Sequence, residues 1–161
     1  MRKIIIALLL CLFMMPGVNA TPRVLSDVET QELEYVVKLG QVDDEITKEF
    51  SYYINHTNLY TPTQVENKYR TQVMKYHEVL FSRKTFPLSN YYMQETYEGY
   101  KIHMDAVLGF YKKHNELEHF DITLAAFNLY VHDNLDKYRE SIKEYDYRVR
   151  RLNAYIAGEI D

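Results

Sequence analysis

The sequence predicts an all-α fold, an antiparallel up-down-up-down four-helix bundle, and three observations carry that expectation. Apolar residues recur at intervals of three and four along four separate segments. Those segments are bounded by capping and proline signals, with no glycine-rich linker, repeat or low-complexity tract between them. Beyond its leader the chain has no cysteine, so packing alone must hold it together.

The leader reads MRKIIIALLLCLFMMPGVNA. Arg2 and Lys3 form a basic start, Ile4 to Met15 an apolar run, Pro16 and Gly17 a break, and Val18 and Ala20 the small residues of a cleavage site. A signal peptide over 1–20 is expected, leaving one helical bundle domain over 21–161. The run is shorter than the ~18 residues of a membrane span; a retained leader would instead make the protein a membrane-anchored helical stalk. Cys11 follows Leu10, which does not suit lipidation, and it departs with the leader. A disulfide, a zinc–thiolate cluster and a cysteine nucleophile are then excluded.

Loss of Arg2 and Lys3 takes the net charge from −4 to −6. That balance argues against nucleic acid and anionic membrane surfaces as partners, since both attract a basic face. The short basic stretch YRVRR (147–151) reads as a solvated helix C-terminus that suits the macrodipole.

Thr21 to Leu25, with Pro22, is expected as an extended lead-in. Ser26 and Glu29 have capping-box spacing and start the first helix. Its stripe is Val28, Val36, Leu39, Val42, Ile46, Phe50 and Tyr53, in phase across Gly40, so one helix is expected to about Asn58. Thr61-Pro62-Thr63-Gln64 starts the second, with proline at the first helical position, and Val65, Tyr69, Val73, Tyr76 and Leu80 line one face. Pro87 excludes α conformation at Phe86 and stops it.

Ser89 is the expected cap of the third helix, whose stripe is Met93, Tyr97, Tyr100, Met104, Val107 and Tyr111. The five tyrosines of YYMQETYEGYKIHMDAVLGFYKKH (91–114) are thus mainly packing residues. Their hydroxyls need acceptors at the flank, for which Glu95, Glu98 and Asp105 are at hand. Gly99 and Gly109 make room for a neighbour or are simply tolerated. After a turn over NELEHFD (115–121), Asp121 caps the last helix, with Leu124, Phe127, Val131, Leu135, Tyr138, Ile142, Tyr145, Val149, Leu152 and Ile156 inward.

The first and last helices come out longer than the middle two, so their ends should protrude past the shorter hairpin. Apolar surface would remain there unless the lead-in folds over it. Leu33, Val36, Val37, Val149, Leu152, Tyr155 and Ile156 are therefore the expected partner-binding residues, for another protein or for self-association as a homodimer. A second candidate surface is a set of tyrosines left partly uncovered, 16 tyrosines being present without any tryptophan.

No cofactor is expected. The weak metal candidates are Glu49, His103 and His132, brought to one level if the helices reverse near residue 117; Met104 with His132 would be the pair for a noncovalent haem. A di-iron site needs two Glu-x-x-His pairs, and Glu116–His119 alone has the spacing, in an expected turn. His56, His114 and His119 gather at one end, best read as solvated loop residues. Asn55-His56-Thr57 is a glycosylation sequon if the source is eukaryotic. No serine-hydrolase, zincin or P-loop motif occurs. The expectation is a noncatalytic periplasmic or secreted protein that binds another protein, in envelope assembly, secretion, chaperone or inhibitor work; the alternative is a metal- or haem-binding bundle.

Overall fold

In a computed structural model, residues 21–56, 59–119 and 124–161 are described, with side chains described outside 53–55, 62, 65, 110, 111 and 113–133. The leader, Asp121 and the sequon's Thr57 lie outside the described residues. Among the described residues there are four helices and no strand: α1 Asp27–Asn55, α2 Pro62–Leu80, α3 Tyr91–His119 and α4 Leu124–Ala157.

The capping box of Ser26 and Glu29 forms as its spacing predicts, and Thr61 and Gln64 form a second one where the sequence marks only a helix start. Ser26 N donates to Glu29 Oε2 at 2.9 Å and Glu29 N to Ser26 Oγ at 3.3 Å. These bonds hold the Glu29 carboxyl below its usual range, the backbone bond from Ser26 first. Thr61 and Gln64 repeat the reciprocal pair ahead of Pro62. Gly40 leaves α1 unbroken; a Cβ there would lie 3.2 Å from the Tyr145 hydroxyl.

The cap of α3 is Asn90, not Ser89. Asn90 Oδ1 accepts from Tyr92 N at 3.0 Å and Met93 N at 3.2 Å, while Ser89 turns away to Glu32. The helix also runs on to His119, since Glu116, Leu117 and Glu118 are good helix formers and the expected turn starts too early. Glu116 and His119 are thus in a last helical turn. At the far end of α4, Gly158 at φ +77° closes a Schellman motif. Its N–H donates to Tyr155 O at 3.0 Å, and Glu159 N–H reaches back to Ala154 O at 2.9 Å.

α3 is central, packing against α1, α2 and α4, while α1 packs also against α2. Along α1 and α2 the contacts run in opposite order, Tyr35 to Leu80, Glu45 to Lys75, Glu49 to Gln72. They do so again along α3 and α4, Tyr92 to Tyr155, Arg151 to Glu95, His103 to Ser141. The core lies between them: Leu39, Ile46, Phe50, Met93, Tyr100, Met104 and Val107 are buried. Phe50 meets Tyr138 edge-on at 4.6 Å, so large rings bridge α1 and α4.

The expected pattern of two long outer and two short inner helices is not found. α3 has 29 residues, as many as α1, and only α2, with 19, is short. Because α3 begins directly after the 81–90 loop, its first turns run alongside the start of α1 and the end of α4. That loop, with a cis Phe86–Pro87 bond, buries Leu88. The lead-in closes the same end: Arg23 N donates to Ile156 O at 3.0 Å, and its guanidinium bonds Tyr155 O and Ile160 O.

Candidate functional site

The polar groups capable of chemistry gather where α1, α3 and α4 meet. Val36, Leu39, Ile46 and Phe50 set a three–four repeat on α1, and Asp43 falls in phase with it, so its carboxyl is carried inward. Thr47 sits one turn on. Opposite, α3 has two inward faces, the expected stripe and a second one of Thr96, Gly99 and His103 that meets α4. His103 is therefore fully buried.

The hydrogen bonds assign the His103 proton. Ser141 Oγ donates to Tyr138 O at 2.7 Å, which leaves the oxygen to accept from His103 Nδ1–H at 3.1 Å. Nε2 is then an acceptor, taking the Thr47 hydroxyl at 3.0 Å. The ring stacks between Tyr138 and Tyr145, at centroid distances of 5.5 and 5.9 Å. Burial pushes His103 down to about 4, so it is neutral.

Asp43 Oδ1 lies 3.5 Å from His103 Nε2. This is not an ion pair near neutral pH, because burial, reinforced by Asp44 and Asp146, pushes the Asp43 carboxyl up to about 8. Burial also pushes the Tyr100 and Tyr145 hydroxyls above their usual range. Neither Asp43 Oδ1 nor the Tyr100 hydroxyl has a hydrogen-bond partner among the described residues.

A serine, a histidine and an aspartate in one cluster invite a nucleophilic reading, and the polarity opposes it. A nucleophilic serine must hand its proton to the imidazole. Here Ser141 gives its proton to its own helix, the imidazole donates toward it, and all three residues are shut off from solvent.

Of the weak metal candidates, Glu49 turns to α2, where the Gln72 side-chain amide donates to it, whereas His103 faces α4. The structure does not bring these two together. The His132 side chain lies outside the described ones, so its pairing with either is left undescribed. Met104 is fully buried. Among the described residues no group of three or more His, Cys, Asp or Glu is arranged to hold a metal ion. His56 bonds the Tyr52 carbonyl at 2.8 Å and stacks on the Tyr52 ring; the side chains of His114 and His119 are outside the described ones.

The expected partner-binding residues lie mostly inside. Val36, Leu152 and Ile156 are buried, Leu33 and Tyr155 pack half-buried against the core, and Val37 and Val149 are half-buried. The covering groups are the lead-in, which the sequence offered as the alternative to a free end, together with the 81–90 loop and the first turns of α3. The loop is fixed by Glu32, a buried carboxylate that accepts from Arg83 Nη2 at 2.9 Å, Ser89 N at 2.9 Å and Ser89 Oγ at 2.7 Å. Glu32 continues the three–four phase of α1, a signal that its charge concealed.

Among the groups that face solvent are several aromatic rings. At the junction of α3 and α4, Tyr91 is 60% and Tyr147 51% exposed. The Arg151 guanidinium lies 5.8 Å from the Tyr91 ring, 5.1 Å from Tyr92 and 5.7 Å from Tyr147, and bonds Glu95 at 2.8 Å. Tyr91 donates to the same Glu95 side chain at 2.7 Å. The YRVRR stretch and the paired tyrosines at the start of α3, far apart in sequence, thus form one surface. Among the described residues no helix is long and apolar enough to cross a membrane. No family model, curated protein or solved structure matches the chain.

Proposed function

We propose that this is a noncatalytic exported protein that binds another protein, working in the periplasm or outside the cell after loss of residues 1–20. Its helices run as an antiparallel up-down-up-down bundle, in keeping with the contact order along α1–α2 and α3–α4. Envelope assembly, secretion, chaperone and inhibitor roles all suit such a bundle.

The observation that carries this reading is the Tyr91–Tyr147–Arg151 surface. Tyrosine and arginine dominate the energetics of protein interfaces, because each offers a large contact area together with polar tips. Here the two tyrosines stand exposed, braced by the half-buried Arg151 between them. The polar residues suited to acid–base work are spent in the interior, on hydrogen bonds between helices.

The test is recovery of the protein from the cells that make it. The expected result is a stable complex with a second protein, and a purified chain with neither stoichiometric metal by elemental analysis nor a Soret band. A chain that elutes alone and carries bound iron or zinc sinks the reading.

A further inference from the structure

Asp43 carries its carboxyl from α1 into the interior at 6% exposure, and Tyr100 brings its ring from α3 at 1%. Tyr100 precedes His103 by three residues, so both look inward from one side of α3, and Asp43 Oδ1 is 3.5 Å from His103 Nε2. The Tyr145 ring, 6.4 Å from that of Tyr100, reaches the same stretch from α4, its hydroxyl lying against Gly40 one turn before Asp43. The imidazole cannot serve the carboxyl, because its Nδ1–H goes to Ser141 and its Nε2 lone pair takes the Thr47 hydroxyl. Asp43 Oδ1 and Tyr100 Oη are thus buried oxygens without a hydrogen-bond partner among the described residues. Gln72 Oε1, a third such atom, is on α2, where the amide it belongs to is held by Glu49.

We infer that a water molecule is bound inside the protein between Asp43 Oδ1 and Tyr100 Oη, accepting from the phenol and donating to the carboxyl. Two unpartnered oxygens on packed helices are costly together, since each gives up the hydrogen bonds it has in bulk water. One molecule that both donates and accepts relieves both of them, and two polar partners are enough to hold a buried water. The chemistry argues against a charged occupant. Burial pushes the Asp43 carboxyl up to about 8, so near neutral pH it offers a cation no countercharge. Asp43, Tyr100 and His103 are all closed to solvent, which leaves a molecule of water's size as the ligand. Thr47, His103 and Ser141 already join α1 to α3 and α4, and the water adds a second polar tie between α1 and α3 that fixes how the two pair.

The experiment is a crystal structure of the full chain near neutral pH, at a resolution that shows ordered water, alongside Tyr100→Phe. The expected result is one density peak within about 3.2 Å of both oxygens in the wild type and none there in the variant. In solution, magnetic relaxation dispersion of the water oxygen should count one long-lived water fewer in Tyr100→Phe than in the wild type. If that variant does not fold, the wild-type map decides alone. A direct hydrogen bond from Tyr100 to Asp43, a peak with the short contacts and crowded oxygen shell of a metal ion, no peak, or the same peak in Tyr100→Phe each overturns the inference.

Discussion

Asp43 holds its proton inside the protein, and His103 beside it does without one. The consequence for stability follows from where each proton goes on unfolding. The Asp43 carboxyl is raised from its ordinary 3.8 to about 8, so the folded chain keeps a proton that the unfolded chain has lost. That contribution is complete at low pH and disappears as pH climbs through 8. His103 is lowered from 6.5 to about 4, so its contribution is present above 6.5 and disappears as pH falls through 4. Between 4 and 6.5 the two slopes oppose each other and cancel; from 6.5 to 8 only the Asp43 slope remains. Stability should fall there by up to ~1.4 kcal/mol per pH unit relative to a chain without the carboxyl. Urea midpoints of the wild type and Asp43→Asn, taken at intervals from pH 4 to 9, test it: His103 is common to both chains, so the difference should shift steadily in favour of the variant from about 4 to 8 and level off above 8, while the wild-type curve itself is flat from 4 to 6.5. Parallel curves throughout would mean that the carboxyl is solvated. None of this was legible by type, since Asp43-Asp44 reads as a polar face. It was legible by phase: 36, 39, 43, 46 and 50 alternate three and four, whereas a stripe through Val42 runs three, three, four, four.

The helices themselves were legible because their ends are local. Ser26–Glu29 and Thr61–Gln64 carry their capping geometry within four residues, and no distant contact is needed to form it. The start of α3 was misassigned by one residue because Ser89 has a distant partner, Glu32, which leaves the cap to Asn90. Asn90→Ala should therefore cost about 1 kcal/mol of stability through lost capping alone. Ser89→Ala should act instead through the loop, raising exchange of the 81–89 amides more than those of α3. The glycines inside α3 divide in a similar way. A Cβ at Gly109 meets nothing within 4 Å, so Gly109→Ala should stabilise the protein by roughly 1 kcal/mol, the helix propensity difference. At Gly99 the same Cβ comes 2.7 Å from Arg148 Cδ, whose guanidinium is tied to Glu144 and the Glu95 carbonyl. Gly99→Ala should lose that gain by pushing the arginine from its bonds. Urea unfolding of the two variants side by side decides it: equal stabilisation would mean that α3 and α4 are not packed closely at Gly99.

At the scale of the whole molecule, local periodicity carries the four helices, whereas which ends stay covered depends on contacts between distant segments. Helix lengths estimated from breakers placed the end of α3 too early, and a lead-in of five residues carries no periodicity to say where it lies. Both errors point the same way, toward free apolar ends, because coverage comes from contacts such as Arg23 with Tyr155 that join opposite ends of the chain. The two candidate partner surfaces now separate by stability. Leu152 is 4% exposed, so Leu152→Glu puts an unpaired carboxylate into the core and should cost several kcal/mol, enough to lower the urea midpoint sharply or to unfold the chain. Tyr147 stands in solvent with its ring against Arg151, and Tyr147→Ala should change stability by no more than ~0.5 kcal/mol. A variant that loses a partner while keeping its helicity is therefore expected on the Tyr147 face and not at the end formed by Leu152 and Ile156. If Leu152→Glu instead leaves the unfolding curve unmoved, that end is open, and the covering by the lead-in and by α3 is not what the protein keeps in solution.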